Sequence, residues 1–103
     1  MAHVLPPPPR EHPERAIHFE TLEEDLRTFG FTPVALRLKW YRRYCQLLSA
    51  RLASLGCHVL SPPAAACSTD GLLQDDFAEG LTHGNRRYGR LVAEQIASWL
   101  ATA

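Results

Sequence analysis

The stretch EGLTHGNRRYG, residues 79–89, sets a histidine just ahead of a helix-like run, with Glu79 shortly before it. Imidazole is the one side chain that titrates near neutral pH. The positive end of a helix dipole favours its neutral form, which is the form a general base needs. A carboxylate on one ring nitrogen then fixes the tautomer and leaves the other nitrogen to accept a proton. His83 is therefore a candidate base, and Asp70, Asp75, Asp76 and Glu79 are the carboxylates near it in sequence. The plainer reading is that Thr82 and His83 cap the helix that follows.

A base needs a nucleophile to serve. Ser49, Ser54 and Ser98 fall within helical runs, which are poor positions for an attacking hydroxyl. Ser61 and Ser68 fall in loops, but neither has the strained strand-to-helix turn that exposes a nucleophile. Cys45, Cys57 and Cys67 are odd in number and lack CxxC spacing, so they read as small apolar side chains rather than a disulfide framework. A metal held by His83 with Asp75, Asp76 or Glu79 lacks the paired-histidine spacing of zinc sites, and His3, His12, His18 and His58 are scattered. No metal and no cofactor are expected.

The elements that must position these residues fit one small domain of 103 residues. Eleven basic and eleven acidic residues give a formal net charge of zero, which argues against a nucleic-acid partner held by bulk charge. No apolar run is long enough to span a membrane, and the first residues lack the basic and apolar regions of a secretory signal. With unpaired cysteines, a cytoplasmic location is expected.

Two short apolar runs, residues 3–5 and 57–60, end in prolines and read as strands. Thr21 and Glu24 form a capping box for a short helix over 22–29 that stops at Gly30. A long helix follows, with Thr32 as its cap, Pro33 at its first position and Gly56 at its end. Leu38, Tyr41, Cys45, Leu48, Leu52 and Leu55 form its apolar stripe, and Arg37, Arg42, Arg43 and Arg51 lie off it. Those arginines read as a solvated face, the sharper alternative being a phosphate-binding one. Residues 64–80 read as a loop, and a last helix spans about 85–100 with Tyr88, Leu91, Val92, Ile96 and Trp99 on one side. Trp40 and Trp99 are expected to pack helix against sheet, and His58 to be a hydrogen-bonded structural residue. Strand, helix, helix, strand, loop, helix is an α/β order with a parallel sheet. Two strands are too few for a complete sheet of that kind. The proline exits and the loop with His83 fall at the carboxyl ends of the strands, where open α/β sheets bind ligands.

Thr82, His83, Asn85, Tyr88 and Gly89 match the pattern D-x-T-H-x-N-x-x-Y-G. The block EGLTHGNRRYGRLVAEQI thereby resembles the last conserved block of the SGNH (GDSL-like) hydrolases. VLPPPPR, the long helix with CHVLSPP, and DGLLQDDFAEG extend that likeness along the chain. The resemblance implies the C-terminal half of such a domain: one partial domain over 1–103, a partial flavodoxin-like three-layer α/β/α sandwich lacking its N-terminal strands. It implies ester hydrolysis with His83 as the base that activates a serine of a Gly-Asp-Ser block, and Thr82, Asn85 and Tyr88 as binding residues around it.

Two departures bear on activity. The family's aspartate three residues before the histidine is Gly80 here, with Glu79 one position further off as the candidate orienting carboxylate. No Gly-Asp-Ser occurs in the sequence. The expectation is a hydrolase-like region that is inactive alone and takes an ester substrate only with a missing N-terminal half or second chain. The competing expectation is a non-catalytic interaction protein that pairs its open sheet edge with a partner or a second copy.

Overall fold

A computed structural model describes residues 1–16, 24–25, 28 and 30–102. Two short strands, β1 (Ala2–Val4) and β2 (His58–Leu60), pair in parallel with Ala2 opposite His58 and Val4 opposite Leu60. The Leu5 amide extends the ladder by donating to the Leu60 carbonyl at 2.9 Å. The expected parallel pair is present, displaced by about one residue in β1. The prolines that follow each strand end the pairing, because they bring no N–H to the ladder.

The long helix α1 (Val34–Ser54) connects β1 to β2 through the intervening chain. Pro33 occupies the cap position rather than the first helical turn, and no side chain caps this end, so Thr32 does not play that part. At the other end the Gly56 amide donates to the Ala53 carbonyl and the Cys57 amide to the Leu52 carbonyl, the paired bonds of a Schellman stop. The inner stripe is Leu38, Tyr41, Cys45, Leu48 and Leu52, all half-buried or buried. Leu55 is exposed and does not belong to it, since it falls in the helix stop rather than on the helix. Thr21 and most of the short helix expected over 22–29 lie outside the described residues.

Residues 64–80 are not an open loop. Two single turns of 3-10 helix, Ala64–Ala66 and Asp75–Phe77, are joined by bridges of Leu73 to Arg10 and to Cys67. They lead into an antiparallel hairpin, β3 (Ala78–Glu79) with β4 (His83–Gly84). The last helix, α2 (Arg86–Thr102), starts directly after it. Its apolar side covers the core of Ala66, Leu73 and Tyr88, with Phe77, Ala78, Leu91 and Val92 packed around them. Full burial of each large apolar side chain contributes about 1.5–3 kcal/mol. This small core therefore holds the hairpin and α2 together.

Of the two tryptophans, Trp99 packs α2 against the sheet as expected, and Trp40 does not. Trp99 stacks on the His58 ring from β2, centroids 5.4 Å apart, and the His58 amide donates to the Met1 carbonyl at 2.9 Å. Trp40 is 59% exposed and packs no helix onto the sheet. The three cysteines are free, Cys45 being buried and the others half-buried. No helix among the described residues is long and apolar enough to cross a membrane.

Candidate functional site

The hairpin is where the candidate base sits. Gly80 turns the chain with φ +62°, a left-handed conformation that glycine adopts without steric penalty. The resulting register sets Glu79 directly opposite His83. Opposed residues of an antiparallel pair project from the same face, with Cβ atoms about 4.5–5.5 Å apart. Glu79 thus comes within reach of His83 although the Asp-x-x-His spacing is absent. Both side chains are exposed. The His83 Nδ1 lies 3.2 Å from the Thr82 hydroxyl, and no carboxylate of the described residues is hydrogen-bonded to the ring.

His83 and Thr82 do not cap α2. Asn85 does, accepting at Oδ1 from the Tyr88 amide at 3.1 Å. Its Nδ2 donates to the Asp76 carbonyl at 2.7 Å, and its own amide donates to the Phe77 carbonyl at 2.9 Å. Asn85 therefore fixes the end of the hairpin and the start of the helix in one residue. Tyr88 faces inward beneath the hairpin. A Cβ at Gly84 would fall 2.5 Å from Tyr88 Cγ, so only glycine leaves room for this ring. The Tyr88 hydroxyl is buried without a hydrogen-bond partner among the described residues, and burial pushes its pKa up to about 12. Tyr88 and Asn85 are structural supports of the hairpin in this arrangement.

Arg10, beyond the proline run after β1, joins the hairpin to the sheet. Its Nε donates to Asp75 Oδ1 at 2.9 Å and its Nη1 to the Gly80 carbonyl at 3.0 Å. Arg15 holds the other oxygen of Asp75 at 2.7 Å. Burial works to raise the Asp75 pKa, but hydrogen bonds and charge from Arg10, His12 and Arg15 outweigh it, and the carboxyl titrates below its ordinary range. Asp75 is thus committed to arginines rather than to His83. Glu11, His12 and Asp75 also place three ligand-type atoms within 4.8 Å of one another. The arginines on Asp75 neutralise the charge that would hold a cation there.

A cavity of about 300 Å³ opens beside the hairpin turn at the carboxyl end of β1. Prolines 6–9 form one wall, Arg37 and Tyr41 of α1 a second, and Leu81 and Thr82 a third. Thr82 connects it to the His83 ring. Tyr41 locks the proline exit in place, its hydroxyl donating to the Pro6 carbonyl at 2.6 Å, and burial raises its pKa well above the tyrosine range.

Among the described residues no serine is hydrogen-bonded to His83. Ser68 Oγ accepts from the Leu72 amide at 3.2 Å inside its own turn, and Ser61 meets Gln95 of α2 through its carbonyl. The residues that sequence reasoning missed are Arg10, which reads as the polar end of a proline run, and Arg37, which reads as one of several surface cations. The position of Arg10 directly after the prolines that end β1 was the available signal. No family model, curated protein or solved structure matches the chain.

Proposed function

We propose that the chain is the C-terminal region of an SGNH-like ester hydrolase, a partial flavodoxin-like α/β/α layer in which His83 is the general base and Glu79 its orienting carboxylate. The observation that carries this reading is the hairpin register, with Glu79 directly across from His83 beside a cavity at the carboxyl end of β1. A base without an attacking hydroxyl and oxyanion donors contributes little. The Gly-Asp-Ser nucleophile therefore comes from a further segment or a second chain, and residues 1–103 alone are inactive. The test supplies an SGNH N-terminal half carrying Gly-Asp-Ser and follows cleavage of a p-nitrophenyl acyl ester. Turnover is expected with both parts together and is lost in His83→Ala. Turnover that survives His83→Ala removes the base from the reading.

One further observation favours a second reading, a non-catalytic interaction protein. Among the described residues β1 and β2 each have a single neighbour, so both outer edges of the sheet are open. On α1, Leu36, Trp40, Tyr44 and Leu47 form an exposed apolar stripe at helical spacing. A partner or second copy that covers edge and stripe gives a stable dimer or heteromer without esterase activity. Sedimentation decides it, since a clean monomer under all conditions counts against this reading.

A further inference from the structure

We propose that the cavity between the proline run, α1 and the hairpin turn is a binding site for a small carboxylate with an apolar tail, its head group held by Arg37. The walls explain the tail. Prolines 6–9 carry no N–H, so that side of the cavity offers no backbone donor. The Tyr41 hydroxyl is already engaged by the Pro6 carbonyl and the Thr82 hydroxyl by His83 Nδ1. Leu81 and the Tyr41 ring complete a mostly apolar surface, and about 300 Å³ is the size of a small-molecule pocket.

Arg37 explains the head. Its Nε donates to the Thr32 carbonyl at 3.1 Å. Arg37 lines the cavity, and among the described residues its Nη2 has no hydrogen-bond acceptor and no carboxylate forms a salt bridge with it. A guanidinium without a counter-charge is free to take one, and its planar fork matches a carboxylate. A phosphate fits less well, because the cavity lining holds no second cation and its proline wall no amide donors. That the natural ligand is the acyl product of ester cleavage rests on the hydrolase reading; the binding itself does not.

Amide and Arg side-chain NMR during titration with hexanoate, and separately with neutral hexanol, tests the site. Hexanoate is expected to shift Leu81, Thr82 and the Arg37 Nε–H, and to bind at least about tenfold tighter than hexanol. Arg37→Gln is expected to bring hexanoate down to the affinity of hexanol, with Arg37→Lys in between. Equal affinities for the two probes on the unaltered chain, or no shifts at these residues, overturn the site without any variant having to fold. Ester turnover that depends on His83 while hexanoate shows no preference sinks the site and leaves the base. Selective hexanoate binding with turnover indifferent to His83→Ala does the reverse.

Discussion

The Arg10 guanidinium binds the Asp75 carboxylate at 2.9 Å, and the pair joins the exit of the first strand to the turn that leads into the hairpin. Both side chains are largely shielded from solvent. Removing one partner leaves an uncompensated charge, which costs about 3 kcal/mol in buried pairs. Asp75→Asn is expected to lower stability by about 2 kcal/mol once partial exposure is discounted, read as a drop in urea midpoint.

The same pair sets an acid limit. The Asp75 carboxyl has a lower pKa folded than unfolded, so the unfolded chain takes up the proton first as pH falls. Its stabilisation is full above the unfolded value of about 4 and disappears as pH drops through the lower folded value. Urea midpoints between pH 6 and pH 2 should decline below about pH 4, and less steeply in Asp75→Asn. An identical acid decline in that variant would place the titrating group elsewhere.

At the alkaline end Tyr88 behaves in the opposite sense. Its folded pKa is raised to about 12, so the unfolded chain loses the phenolic proton first. Stability is full below about pH 10 and falls as pH rises toward that folded value. Tyr88→Phe removes this contribution, and with it a buried hydroxyl that has no partner. The variant is expected to be as stable as the parent at pH 7 and more stable relative to it at pH 11.

Gly84→Ala forces the Tyr88 ring out of its place, because the added Cβ would overlap it. A loss of about 2–3 kcal/mol is expected, as for overpacked cores. Thermal unfolding measures it. Combined with Tyr88→Ala, the loss should be smaller than the two single losses added together, since the overlap with the ring is then gone.

Asn85→Ala removes the α2 cap and the link to the Asp76 carbonyl together, for about 1–2 kcal/mol. Asn85→Asp keeps the cap acceptor and loses only the donor, so it should cost less. Helical circular dichroism along a urea titration separates the two variants.

Much of the frame was legible in the sequence because it repeats a period or a breaker. The strands near residues 3–5 and 57–60 are apolar runs closed by prolines, and the inward side of α2 keeps helical spacing from Tyr88 to Trp99. Helix α1 was read on one side only. It is apolar on two faces, so the spacing that found Leu38 and Cys45 equally fits Leu36, Trp40, Tyr44 and Leu47, which are exposed. The hairpin was not legible, since strands of two residues have no period. Its register, and hence the placement of Glu79 opposite His83, depends on Gly80 and on the Tyr88 ring under Gly84. Arg10 with Asp75 is a contact between distant charges, which no local pattern announces.

The pairing of the first residues with β2 also governs the order in which the chain folds. Met1 already takes part, its carbonyl accepting from the His58 amide at 2.9 Å. This segment is thereby anchored to a strand beyond the long helix. Closing that span before any ladder bond forms is entropically costly, whereas α1 forms from local contacts. The helix is therefore expected to form before the strands close over it. In native-state hydrogen exchange the ladder amides of Leu5 and His58 should open together in one event, ahead of the middle of α1.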